Sequence, residues 1–165
     1  MPKLEIERKL LVKSLPQIKE DYVYQIEQYY FKNTQGIWER GRTYHSDKTG
    51  DMYIHTVKKS ISKGVNMEDE YEMTKEDFEK FRLKCMEPGI ESRHISKERW
   101  IYKQGDLKWE VDKFNSGYHL IIAEIEVPTK KYNLIIPKFM QDVILLEVTG
   151  LKQFSNRNLS LKIEK

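Results

Sequence analysis

Apolar and polar residues alternate with a period of two through most of the chain, as in Leu4-Glu5-Ile6-Glu7 and Trp109-Glu110-Val111-Asp112. That is the pattern of strands with two unlike faces. Turn-forming clusters interrupt it at Asn33-Thr34-Gln35-Gly36, Lys48-Thr49-Gly50-Asp51, Gln104-Gly105-Asp106 and Asn115-Ser116-Gly117. The segments between them predict strands over residues 4–12, 22–31, 37–44, 52–59, 66–73, 91–102, 107–114 and 120–127. Eight antiparallel strands are enough to close a barrel. Between the fifth and sixth the period changes. Thr74 and Asp77 resemble a capping box, and Phe78, Phe81 and Cys85 recur at helical spacing, so residues 75–86 are a predicted helix. A second helix is expected to begin near Pro137 and a third after Asn156, packing outside the barrel or plugging one end. With no repeat, low-complexity block or long linker, residues 1–165 read as one domain, mainly β with a few helices.

The polar positions of these strands hold charges in i, i+2 pairs, which therefore share a face. Glu5, Glu7 and Lys9 are followed by Arg40 with Arg42, Thr56 with Lys58, Glu70 with Glu72, Lys97 with Arg99, Glu110 with Asp112, and Glu124 with Glu126. For any single strand, a charged face in water over an apolar core explains this. For all of them together it does not, because like-charged carboxylates repel and gain nothing from repetition on a solvated face. A barrel with apolar residues turned out toward covering helices, and charges turned into a wet lumen, resolves the conflict if the lumen holds metal and a polyanion. Glu5, Glu7, Glu124 and Glu126 supply the hard oxygen donors that Mg²⁺ or Mn²⁺ prefers. Lys9, Arg40, Arg42, Lys58, Lys97 and Arg99 would meet phosphate oxygens, the arginines by forked contacts. A triphosphate has the charge to satisfy two such walls; a monophosphate does not.

Composition narrows the partners. Lys+Arg number 29 against 26 Asp+Glu, a net +3 that does not single out nucleic acid. Basic residues interleaved with aromatics on one open face, with little internal acid, would be needed for that. Cys85 stands alone, the N-terminus lacks a secretory apolar stretch, and no apolar run approaches a membrane span, so a cytoplasmic setting without membrane contact is expected. His45, His55, His94 and His119 lack mutual ligand spacing and read as surface or structural residues. Trp38, Trp100 and Trp109 read as outward-packing core, Cys85 as a small buried hydrophobe, and Lys59, Lys63, Lys130 and Lys131 as solvated loop charge.

The run Glu5-Ile6-Glu7-Arg8-Lys9 resembles the E-x-E-x-K signature of the CYTH superfamily, the triphosphate tunnel metalloenzymes. In order follow Gln28-Tyr29-Tyr30-Phe31, Arg40-Gly41-Arg42, Thr56-Val57-Lys58, Glu70-Tyr71-Glu72, Lys97-Glu98-Arg99, Trp109-Glu110-Val111-Asp112-Lys113-Phe114 and Ala123-Glu124-Ile125-Glu126. Each is weak alone; eight in the family's order are strong. The resemblance implies an eight-stranded antiparallel tunnel. It also implies Glu5, Glu7 and Glu126 as ligands of a first metal with Glu124 and Asp112 close by, and Tyr30 holding Lys9. Lys9 or a second metal would help activate the attacking water. Glu70 and Glu72 either meet a second metal or the basic wall, or only balance charge. Departures are Tyr29 where the family often has Gly, and Val148-Thr149-Gly150-Leu151 without the family's late acidic residues. Asn156 matches a late aromatic-x-Asn motif and is expected to serve as a helix cap.

The chain most resembles short bacterial inorganic triphosphatases, which implies metal-dependent hydrolysis of tripolyphosphate to pyrophosphate and phosphate. A class IV adenylate cyclase and a thiamine or nucleoside triphosphatase share the same tunnel and remain open. So does a non-catalytic polyphosphate-binding module, although that would not need four metal carboxylates. The expected partners are a small-molecule triphosphate and the metal, with the chain a monomer or homodimer.

Overall fold

The computed structural model describes residues 2–116 and 118–165. Its strands are β1 (Lys3–Val12), β2 (Tyr22–Lys32), β3 (Trp38–Ser46), β4 (Gly50–Ser62), β5 (Val65–Met73), β6 (Ser92–Gln104), β7 (Leu107–Phe114) and β8 (Ile121–Glu126), followed by the short β9 (Ile144–Glu147) and β10 (Leu161–Lys162). The first eight close into an antiparallel barrel in the order β6-β2-β3-β4-β5-β1-β8-β7, with β7 returning to β6. All eight predicted strands are present, shifted by a few residues at their ends. The expected turn at Asn115-Ser116-Gly117 falls partly outside the described residues. β9 pairs with β1 at Leu10–Val12, and β10 with β6 at His94 and Arg93; neither short strand was expected from the sequence.

The barrel is built with its apolar faces outward. Trp109, Val111, Ala123 and Ile125 are fully buried between the outer surface of β7 and β8 and a cover formed by Leu134, Met140 and Val143. Part of that cover is the single-turn helix α2 (Lys138–Gln141), for which Pro137 is the N-cap and not the first helical residue. On the opposite side, helix α1 (Lys75–Cys85) begins where the Thr74 hydroxyl accepts the Asp77 N–H. It lays Phe81 and Cys85 against Phe31 on the outer face of β2. Gly41 on β3 permits this approach, since a Cβ there would meet the Phe81 ring at 2.6 Å.

The C-terminal stretch enters the barrel. A 3-10 turn (Lys152–Phe154) leads into α3 (Asn156–Leu159). Leu159 and Phe154 join Leu11, Ile95, Phe114 and Ile122 in an apolar cluster. The four strand residues lie two positions from the inward-facing Lys9, Lys97, Asp112 and Glu124 and share their face, so this cluster fills one end of the interior. The helix does plug, as anticipated, but Asn156 does not cap it: the Ser155 side chain accepts the Asn158 N–H.

Candidate active site

Inside the barrel lies a cavity of about 920 Å³. The strand order sorts its charges into two arcs. β6, β2, β3 and β4 are contiguous and contribute Arg99, Arg40, Arg42 and Lys58, with only neutral Tyr24 and Tyr30 lining the cavity from β2. β5, β1, β8 and β7 are also contiguous and contribute Glu68, Glu70, Glu5, Glu7, Glu124, Glu126 and Glu110, interrupted by Lys9 and, at the rim, Lys3 and Lys108. Charge pairs scattered along the sequence thus become one basic and one acidic wall.

On the acidic wall, register places Glu7 opposite Glu126 and Lys9 opposite Glu124. Lys58 reaches across from the basic side, its Nζ 2.7 Å from Glu5 Oε1 and 3.9 Å from Glu7 Oε1. Burial raises Glu5, but Lys58 more than offsets it and leaves that carboxyl below its ordinary value. Glu7 receives too little compensation, and burial together with Glu124 and Glu5 pushes it up to about 8. Glu126 is raised by burial and by Glu5. Glu124 is held low against its own burial by Lys9, Arg99 and Lys58. Lys9 is correspondingly raised, because Glu124 and Glu7 outweigh its burial, and at neutral pH it is an ammonium ion.

Among the described residues, no three His, Cys, Asp or Glu side chains are already gathered round one point that could hold a metal ion. The donor set nevertheless fits a hard divalent cation. Glu5, Glu7, Glu124 and Glu126 offer oxygen only, line one cavity, and carry a mutual repulsion at Glu7 and Glu126 that a cation between them would relieve.

The basic wall is suited to an anion. Arg42 donates to Glu70 at 2.9 Å and Arg40 lies 3.9 Å from the same carboxylate, while Nε of each arginine is buried without a hydrogen-bond partner among the described residues. Both arginines line the cavity, where an anion would partner their positive charge. Arg99 is more fully engaged: Nε and Nη2 fork onto Asp112 at 2.8 and 2.9 Å, and Nη1 meets Glu110 at 3.0 Å.

Several expected roles fall elsewhere in the structure. Lys97 is wholly buried, with Nζ 2.7 Å from Asp112 and 3.1 Å from Asn156 Oδ1, so it stands behind the cavity wall. Asp112 is likewise committed, to Arg99 and Lys97. Tyr30 accepts from Gln28 and sits in register with Arg40, while Lys9 is held by the Phe154 carbonyl at 3.2 Å and by Glu124 at 3.4 Å. Glu70 lines the cavity and bonds Arg42; Glu72 is exposed. Trp100 and Trp109 pack outward as expected, but Trp38 lines the cavity, with the Arg157 guanidinium 5.2 Å from its ring centre.

Glu68 was missed by sequence reasoning. It is buried beside Glu5 and Lys58, and burial with Glu5 raises it to about 7. The i, i+2 rule that found Glu70 and Glu72 extends back to it. Asn156 stood out only through the aromatic-x-Asn motif, and its contact with Lys97, 59 positions away, leaves no local pattern.

Solved structures match the chain over most of its length. The inorganic triphosphatase NE1496 is 26% identical, with 97% of this chain and 99% of that one covered and a TM-score of 0.58. A putative adenylyl cyclase from Hippeastrum, described as having a dominant triphosphatase activity, is 16% identical over 76% of this chain and 80% of its own, with a TM-score of 0.52. A putative adenylate cyclase from Bacillus halodurans is 16% identical over 79% and 83%, with a TM-score of 0.54. At such identity the last two show the fold alone. No protein-family model matches the chain, and no curated protein matches it. Closed topology, inward charge and these likenesses together give the chain the fold of the CYTH superfamily, the triphosphate tunnel metalloenzymes.

Proposed function

We propose that this protein hydrolyses inorganic triphosphate to pyrophosphate and phosphate with Mg²⁺ or Mn²⁺ as cofactor. The observation that carries the reading is the facing of two walls across one cavity: four carboxylates on β1 and β8, and the arginine pair Arg40 and Arg42 on β3. The similarity to an inorganic triphosphatase along nearly the whole chain supports it.

Glu5, Glu7, Glu124 and Glu126 would hold the metal. When bound, it would neutralise phosphate oxygens on the acidic side and orient the triphosphate for in-line attack. Arg40 and Arg42, which line the cavity, would take non-bridging oxygens, and Lys58 and Arg99 would add charge on the same wall. Water attacking the terminal phosphorus breaks its bond to the bridging oxygen, and the cations stabilise the charge that gathers on that oxygen and on the phosphoryl group. Lys9, an ammonium between Glu124 and Glu7, serves here as a cation and not as the base.

A triphosphate bearing an aromatic group is the second reading. Trp38, Tyr24 and Tyr44 line the same cavity and could receive a ring. Phosphate release from tripolyphosphate, ATP, thiamine triphosphate and pyrophosphate, with each metal or with chelator, separates the two. Cyclic AMP would be assayed in the ATP wells. Metal-dependent turnover of tripolyphosphate well above the others supports the first reading, and preference for a ring-bearing substrate replaces it with the second. Tight binding without turnover on any substrate leaves only a polyphosphate-binding module.

A further inference from the structure

Asn156 is a motif residue without a role in the reaction just described. Its side chain does not cap α3, because Ser155 does that. Instead Oδ1 accepts from Lys97 Nζ at 3.1 Å, inside the barrel. Lys97 has no exposed surface, and a buried ammonium needs every partner it can find. Its other partner is Asp112 Oδ2 at 2.7 Å, and that oxygen also accepts from Arg99 Nη2 at 2.9 Å. The second Asp112 oxygen takes Arg99 Nε at 2.8 Å. Four side chains from three elements, α3, β6 and β7, therefore form one continuous chain whose two ends, Asn156 and Arg99, line the cavity while Lys97 and Asp112 join them behind its wall.

We propose that Asn156 is a positioning residue for Arg99, acting through Lys97 and Asp112; the kinetic part of this rests on the triphosphatase reading. Asp112 must divide its oxygens between two buried cations. Without Asn156, Asp112 is the hydrogen-bonding partner left to Lys97 among the described residues, beside the Phe114 ring 5.9 Å away, and Lys97 draws that carboxylate toward itself, loosening the fork that aims Arg99. Burial pulls Lys97 down to about 8 against the opposing pull of Asp112. The Phe154 carbonyl, two residues earlier, holds Lys9 in the same way, so the C-terminal segment orients cations on both sides of the cavity.

The test compares wild type with Asn156→Ala and Asn156→Asp. Alanine removes the acceptor while leaving the Ser155 cap and a good helix former in place. Aspartate restores an acceptor at the same position. With tripolyphosphate and Mn²⁺, Asn156→Ala is expected to raise KM about tenfold with kcat changed less than about threefold, the pattern of lost phosphate binding, and Asn156→Asp to return KM to within about twofold of wild type. The Nε–H signal of Arg99, assigned by its loss in Arg99→Lys, should shift in the alanine variant and recover in the aspartate one. An unmoved Arg99 signal in Asn156→Ala overturns the proposal. So does equal loss of kcat and of melting temperature in both variants, which would mark a merely structural role. If wild type turns over no triphosphate, the functional reading fails by itself, and the Arg99 signal still decides the positioning role.

Discussion

Lys58 and Glu5 form an ion pair of 2.7 Å that joins the two walls of the barrel. The pair puts a fixed cation where the acidic wall would otherwise receive a divalent ion. Lys58 therefore competes with the metal for Glu5 while serving the substrate. Replacing it by methionine is expected to tighten Mn²⁺ binding about tenfold in the absence of substrate and to lower tripolyphosphate turnover by at least about tenfold. Calorimetric Mn²⁺ titration beside steady-state kinetics checks both; weaker Mn²⁺ binding in Lys58→Met would contradict the competition.

Glu7 makes the stability of the chelated protein depend on pH. Its carboxyl is raised to about 8 from 4.5, so the folded chain retains a proton that the unfolded chain gives up between those values. Stability accordingly falls as pH climbs from 4.5 through 8. Glu68, raised to about 7, acts in the same direction. Urea unfolding in chelator should show a lower midpoint at pH 8.5 than at pH 6, and Glu7→Gln should flatten the difference while abolishing turnover. A midpoint that rises with pH across this range would be the opposite sign.

Gly41 stands between the two arginines of β3 with its Cα against the Phe81 ring. A methyl group there has no room unless α1 shifts, so Gly41→Ala is expected to cost about 1–3 kcal/mol. Phe81→Leu in the same chain should recover part of that loss, because it removes the ring the methyl meets. Equilibrium unfolding of the single and double variants measures both.

The sequence showed the fold because each level of the chain agreed with the next. Alternation set strand number, and the i, i+2 charges set which face turned inward. What it could not show depends on register between distant strands. Lys97 and Arg99 share a face of β6 and look equivalent in the sequence, yet the apolar cluster of Ile95, Phe114 and Ile122 seals Lys97 away while Arg99 reaches the cavity. Trp38 was misplaced for a similar reason. It lies at the end of β3, beside a C-terminal segment whose return into the barrel no local pattern announces.

Cys85 offers a simple check on the packing of α1. Burial raises its thiol to about 12, far above the range in which free thiols react. Native protein at pH 8 should take up iodoacetamide only as fast as it unfolds, and should do so rapidly in urea. Fast labelling without denaturant would mean that α1 does not seal the outer face of β2.

In the proposed function one wall takes metal and the other takes phosphate. A crystal structure with Mn²⁺ and tripolyphosphate, the metal located by its anomalous scattering, tests this most directly. Mn²⁺ is expected on carboxylates among Glu5, Glu7, Glu124 and Glu126, with phosphate oxygens on Arg40 and Arg42. Manganese outside the acidic wall, or a triphosphate that makes no contact with Arg40 and Arg42, would overturn this reading.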